Sequence, residues 1–375
     1  MTISWVENGA TLSARWQSEA GVAAPKRVLI ADDTINADTA YRLACEGTAM
    51  LWRGDFQNAR QLLQAIARRC DHKKSAKKSN QETVVSPTEA FHLHRQAQAQ
   101  RARVLGMLLI EVDGDYQIKL KRAPDIKLAC EEAYGKNSEN FVASLRELQG
   151  LIGAHEWRKK GVPIDVLADK IHPHYGVFSP IRGEYLTLIN NAVLPSTELA
   201  FDIGTGTGVI SALLAKRGVK KIIATDQDSR ALACAKENIT RLGYTKQITL
   251  QQTDMFPEGK APLIVCNPPW LPAKPSSPIE YAVYDPESRM LMAFLNGLKA
   301  HLTEDGEAWL ILSDFAEHLG LRSRETLMNA IQSAGLRVED KLDIRPKHSK
   351  VDDTTDRLHQ ARKAELTSLW RLKSA

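Results

Sequence analysis

Cysteine is scarce in this chain and is scattered. The five residues, at positions 45, 70, 130, 234 and 266 of 375, form no CxxC pair. An odd, dispersed set argues against a disulfide framework and predicts reduced thiols in a cytoplasmic protein. No run approaches eighteen apolar residues, so no membrane-spanning helix is expected. The N-terminus carries Glu7 early and has no apolar h-region, which argues against export. His172 and His174 lack further ligands at metal spacing and read as ordinary loop residues, so no metal is expected. The charge balance excludes little. A formal net charge of +5 agrees with an RNA partner without requiring one. At 375 residues there is room for two domains, each with its own core.

Against this background Asn267-Pro268-Pro269-Trp270 stands out. It follows Leu263-Ile264-Val265-Cys266, which reads as a buried strand, so the tetrapeptide sits where that strand ends. Two prolines cannot donate to a ladder, and they fix a rigid loop with exposed carbonyls. An amide acceptor (Asn267), an immobile carbonyl (Pro268) and a flat aromatic (Trp270) are together suited to holding a planar NH2 by both protons and sandwiching the group behind it. The nitrogen of an amide or an exocyclic base amine is a poor nucleophile because its lone pair is delocalised. Accepting both N–H bonds helps localise that pair and points it at an electrophile.

About sixty residues upstream, Glu198 to Asp202 reads as a strand running into Asp202-Ile203-Gly204-Thr205-Gly206-Thr207-Gly208, followed by a helix over Val209 to Arg217. Glycines at 204, 206 and 208 let the chain turn sharply and approach a ligand at a helix N-terminus. The GxGxG spacing departs from the dinucleotide fingerprint, and Asp202 at the strand end would repel a pyrophosphate. It suits a cationic or amino-bearing ligand. The next strand, Lys220 to Thr225, ends in Asp226-Gln227, where a carboxylate can accept both hydroxyls of a ribose. A third strand, Ile248 to Gln252, ends in Thr253-Asp254-Met255-Phe256; Asp254 is placed for the amino group of an adenine, with Met255 or Phe256 against its face. Three acids at three successive strand ends describe a pocket for an adenosine carrying positive charge. S-adenosylmethionine has that shape.

With these motifs, residues from about 175 to 375 resemble a class I S-adenosylmethionine-dependent methyltransferase of the Asn-Pro-Pro-aromatic subgroup. That subgroup includes adenine and guanine methyltransferases of nucleic acids and glutamine methyltransferases of release factors and a ribosomal protein. The resemblance implies that Asp202, Gly204 and Gly206, with Thr205 and Gly208 in the same turn, line the methionine moiety. It implies that Asp226 beside Gln227 binds ribose, that Asp254 with Met255 meets adenine, and that Asn267, Pro268, Pro269 and Trp270 hold and stack the target. In such proteins the segment before the first strand folds over the cofactor, which makes Phe178 and Arg182 candidate pocket residues.

The expected fold is α/β. A Rossmann-like seven-stranded sheet with a closing antiparallel hairpin, over residues 336–344 and 366–372, occupies 151–375. A smaller, mostly helical α+β domain for substrate recognition precedes it over 1–150, with a basic linker near 71–86. That front half predicts a strand at 27–31, helices over 38–51, 56–69 and 88–104, and a hairpin over 108–122. Basic residues in the linker, the third helix and the hairpin suggest an RNA-facing surface. The long Pro- and Ser-rich loop 272–286 reads as a lid or substrate clamp, and Tyr284-Asp285-Pro286-Glu287 is similar to the glutamine methyltransferases. The first expectation for the substrate is therefore an exocyclic base amine of RNA, such as rRNA. The alternatives are a glutamine amide of a translation protein, and a non-catalytic RNA-binding protein that keeps the fold.

Overall fold

The computed structural model describes all residues except 77–84, 181–182, 276–277, 347–352 and 354–355, and the side chains of 72–76 and 278–279. The chain divides into two compact units, residues 1–85 with 92–156, and residues 86–91 with 157–375.

The first unit is built on a six-stranded sheet that the sequence reading does not anticipate, although its five helices hold more residues than its strands. Its elements are β1 (Thr2–Glu7), β2 (Ala10–Trp16), β3 (Arg27–Ala31), α1 (Ala37–Cys45), β4 (Thr48–Trp52), α2 (Phe56–Ala76), α3 (Pro87–Leu105), β5 (Leu108–Val112), α4 (Lys127–Tyr134), β6 (Phe141–Ser144) and α5 (Leu145–Lys160). The strand order is β1-β2-β6-β5-β4-β3. The hairpin β1–β2 was invisible as a pattern because only Ile3 and Trp5 alternate inward over so short a run. The helix expected over 38–51 stops at Cys45, turns at Gly47 with φ of 79°, and continues as β4. The expected hairpin over 108–122 keeps only its first strand; β5 pairs with β4 and β6 instead of with a return strand. Of the basic linker, α2 runs on through Ala76, and 77–84 lie outside the described residues. Ile3, Trp5, Trp16, Leu51, Leu109 and Val142 form one core of this unit.

The second unit continues with β7 (Val162–Ile164), β8 (Asp169–Ile171), α6 (Glu184–Asn191), β9 (Leu199–Ile203), α7 (Val209–Lys216), β10 (Lys221–Asp226), α8 (Ser229–Arg241), β11 (Ile248–Gln252), β12 (Ala261–Cys266), α9 (Arg289–His301), β13 (Leu302–Ser313), α10 (Phe315–His318), α11 (Arg324–Ser333), β14 (Leu336–Ile344), α12 (His359–Ala364) and β15 (Thr367–Ser374). Its sheet runs β11-β10-β9-β12-β13-β15-β14. The strands are parallel through β13, and β15 pairs antiparallel with both β13 and β14. Central strands buried on both faces need continuous apolar runs, and β9 and β12 supply them: Ala200, Phe201, Ile203, Leu263, Ile264 and Val265 are all buried. One face carries α6, α7 and α8, and the other carries α9 and α11, each over its own apolar cluster. The chain winds outward from β9 to β11 and returns to β12 on the other side of β9. The carboxyl ends of β9 and β12 therefore flank the point where a doubly wound sheet opens a crevice.

Candidate functional site

Register brings the two principal motifs side by side. Asp202 pairs with Val265 and Ile203 with Cys266, so the glycine turn and the Asn267 turn leave neighbouring strands at the same level. All three glycines take positive φ, 72° at Gly204, 55° at Gly206 and 79° at Gly208. The turn is tied to the next strand by hydrogen bonds from Gly204 N and Thr205 N to the Thr225 carbonyl, at 2.9 and 2.8 Å. Gly206 N donates to Asp226 Oδ2 at 3.0 Å. The end of β11 joins the same cluster: Thr225 Oγ1 donates to the Met255 carbonyl at 2.6 Å, and Gln252 Nε2 to the Gln227 carbonyl at 3.2 Å. The structure thus gathers Gly204, Thr205, Gly206, Asp226, Gln227 and Met255 at one edge. Asp254 is exposed in the turn beside Met255.

Asp202 is fully buried. Its Oδ2 accepts Thr205 Oγ1 at 2.7 Å, Ser211 Oγ at 2.6 Å and Ser211 N at 3.1 Å, while Oδ1 is buried without a hydrogen-bond partner among the described residues. Burial pushes the carboxyl up to about 6, against the pull of the Ser211 and Thr205 donors. Asp226 is also raised, chiefly by burial, although the N–H groups of Asp228 and Gly206 favour its charged form. This edge fits an adenosine-bearing cation on two observations. Among the described residues Asp202 Oδ1 has no partner, and a Cβ built on Gly206 would meet nothing within 4 Å.

Around the second motif, Pro268 is buried and Asn267, Pro269 and Trp270 are partly so. The Trp270 indole N–H donates to Asn267 Oδ1 at 2.9 Å. Tyr185, in the first turn of α6, is 3% exposed and lies in the apolar cluster with residues of α6 and α7. Burial, with the charge of Asp202 next, raises its phenol well above the ordinary value, while the Asn267 side chain acts in the opposite sense. Downstream, Leu271 bridges to Tyr284, and the Asp285 carboxylate accepts the N–H groups of Met290 and Leu291 at the start of α9.

Some expectations need correction or fall away. Phe256 does not face a ligand pocket: its ring stacks on Phe294 at 5.9 Å and on His301 at 4.4 Å, within the packing of α9. Arg182 lies outside the described residues. Phe178 follows a segment fastened to α8. His172 N donates to Asn238 Oδ1 at 2.8 Å, the His174 ring contacts Glu237 at 2.9 Å, and Val177 packs on Ala231 and Cys234. Buried Asn238 also donates to the Thr207 carbonyl at 3.2 Å, which links this segment to the glycine turn. Tyr185, Ser211 and Asn238 were not legible as site residues. Each is a single polar side chain on an otherwise apolar helical face; Asn238 meets His172 across 66 residues, and Ser211 meets Asp202 only once the glycine turn closes. No helix among the described residues is long and apolar enough to cross a membrane.

Residues 169–335 match the family model described as Methyltransferase small domain. A protein of Methanocaldococcus jannaschii that bears the name of a protein N5-glutamine methyltransferase is 35% identical over 121 residues, 32% of this chain and 59% of that one. The release factor glutamine methyltransferase of Cereibacter sphaeroides is 31% identical over 170 residues, 41% of this chain and 58% of its own. The chain thus spans under two thirds of the length of these relatives. Among solved structures, the ribosomal protein L11 methylase of Lactobacillus delbrueckii subsp. bulgaricus is 19% identical, with 56% of this chain and 88% of that chain covered and a TM-score of 0.39. Over these residues the chain is similar to methyltransferases.

Proposed function

We propose that this protein methylates the side-chain amide nitrogen of a glutamine in a protein of the translation apparatus. The observation that carries the reading is the strand register that sets the Asn267 turn beside the glycine turn. The names of the two relatives favour the amide over the base amine of RNA that the sequence suggests first. So do the charges of the front unit: Arg101, Lys119 and Arg122 each face an acid, Asp71 at 3.0 Å, Asp113 at 3.5 Å and Asp55 at 2.6 Å.

Asp226, with Gln227, would hold the ribose of the cofactor, and Asp254 with Met255 its adenine. Asp202 would face the positive end across the turn of Gly204, Thr205, Gly206 and Gly208, with Phe178 over it. When bound, S-adenosylmethionine supplies a methyl group activated by positive sulfur. A carbonyl oxygen has two lone pairs. Asn267 Oδ1 gives one to Trp270 and keeps the other for the target NH2, whose second proton goes to the Pro268 carbonyl. Pro269 stiffens the turn, and the Trp270 face covers the planar amide. These contacts orient the amide nitrogen lone pair for in-line displacement. The nitrogen sheds its proton to water after transfer, when it has become acidic.

The test is transfer of labelled methyl from S-adenosylmethionine into extract of a strain lacking the gene. Label solubilised by protease and then lost as methylamine on acid hydrolysis, the chemistry of an N-methyl amide, is the expected result. Label released by ribonuclease would return the substrate to an RNA base amine. Asn267→Ala should abolish transfer while cofactor affinity stays nearly intact, and Asp226→Ala should weaken that affinity.

A further inference from the structure

Gly204, the first glycine of the turn after β9, lies against a side chain that is remote in sequence. A Cβ built on it would stand 2.7 Å from Met290 Cε, so the thioether methyl occupies the space over that α-carbon. Met290 is partly buried at the start of α9, and three ties hold it there. The Asp285 carboxylate, itself buried, accepts Met290 N at 3.1 and 2.9 Å and Leu291 N at 3.2 Å. Asp285 N donates to the Leu271 carbonyl at 2.8 Å, so this cap hangs from the residue after Trp270. Glu287 and Ser288 complete the junction in the left-handed region, at φ of 58° and 55°, and buried Arg322 donates to Ser288 Oγ at 3.3 Å. Two successive non-glycine residues there cost free energy and persist only where the surroundings impose them, as happens around ligand sites. The outcome is one apolar side chain set between the glycine turn and the Asn267 turn. A thioether is polarisable and carries no N–H or O–H. It packs on a positive sulfur without forming an ion pair, and it brings no donor to compete with an incoming NH2.

We propose that Met290 is a cofactor-contacting residue whose thioether packs against the sulfonium end of S-adenosylmethionine, a role that rests on the reading of the glycine turn as the seat of that end. Met290 thereby adds a neutral wall to the acid that Asp202 supplies. Its neutrality matters to the rate. A second carboxylate at this point would hold the cation more firmly before transfer than after, when the positive charge has left sulfur, and would slow the step. A fixed cation there would repel the cofactor outright.

The experiment is calorimetry on the full-length chain with two ligands, S-adenosylmethionine and its uncharged counterpart S-adenosylhomocysteine, with folding checked by circular dichroism. Met290→Gln is close in length and neutral, Met290→Lys sets an ammonium at the same point, and Met290→Glu sets a carboxylate there. Relative to Met290→Gln, the lysine variant should bind S-adenosylmethionine about tenfold or more weakly, with affinity for S-adenosylhomocysteine changed by less than about threefold. The glutamate variant should move the ratio of the two affinities the other way, which keeps the test open if the lysine variant misfolds. A side chain that only supports the turn would alter both affinities alike. A ratio unmoved by either charge therefore overturns the contact. Asp226→Ala run alongside separates the two layers. If it weakens both ligands while the charged variants leave the ratio unmoved, only the role of Met290 is lost. If it binds both as tightly as wild type, or if wild type binds neither, the cofactor reading itself fails.

Discussion

At the scale of the residue, Asp202 dominates the electrostatics of the site. Its carboxyl stands at about 6 where 3.8 is ordinary, because burial outweighs three donated hydrogen bonds. Between those two values the folded chain holds more protons than the unfolded chain. This group's contribution therefore favours the fold at low pH and is lost as pH rises through about 6, by up to about 3 kcal/mol. Asp202→Asn should remove that part of the pH dependence, as read from denaturant unfolding at pH 4.5 and 7. A cationic ligand beside the carboxylate draws its pKa down again. S-adenosylmethionine should accordingly bind more tightly at pH 7 than at pH 5, and calorimetry on Asp202→Asn should show that gain reduced. The acid at this strand end was legible from sequence, but its buried, half-satisfied state was not. Ser211, which supplies two of its donors, is an unremarkable serine in an apolar helix until the turn closes.

At the scale of the element, the turn between β9 and α7 assigns different work to glycines that look alike in sequence. Gly206 at φ of 55° has open space where a Cβ would point, whereas Gly208 at 79° would press a Cβ against Ala235 at 3.2 Å. Gly206→Ala should cost about 1–2 kcal/mol of stability, the price of the left-handed conformation, and weaken cofactor binding more than that, because the added methyl occupies ligand space. Gly208→Ala should cost more stability, about 2–4 kcal/mol, because strain and overpacking add. Denaturant midpoints and calorimetric affinities on the two variants separate these effects. On α8, Asn238 holds His172 and Thr207 together. Asn238→Ala strands buried polar groups and should lower stability by about 2–3 kcal/mol, seen in thermal unfolding.

At the scale of the whole molecule, the two units are not a simple cut of the chain, since residues 86–91 belong with 157–375. Phe91 is 2% exposed in a cluster with Leu271, Phe315 and Leu319, and Thr88 Oγ1 donates to the Leu319 carbonyl at 2.8 Å. That cluster supports Leu271, the residue after Trp270. Phe91→Ala should therefore destabilise the chain by about 3–5 kcal/mol. Removing residues 1–150 should lower methyl transfer even on a small amide substrate, which a truncation beginning at residue 86 would test by comparison. Equal activity of the two truncations would show that the Phe91 cluster does not support the site. By itself, the sequence determined the sheet of the second unit and the identity of its strand-end motifs. Those signals are local: doubly buried strands read as continuous apolar runs, and glycine and proline mark where they end. It left the six-stranded sheet of the first unit unread, because short strands with few inward residues carry little periodic signal. Only the tertiary structure decided how the motifs meet. The pairing of Ile203 with Cys266 and the Asn238 link across 66 residues to His172 are consequences of strand order and helix packing, which no window of neighbouring residues encodes.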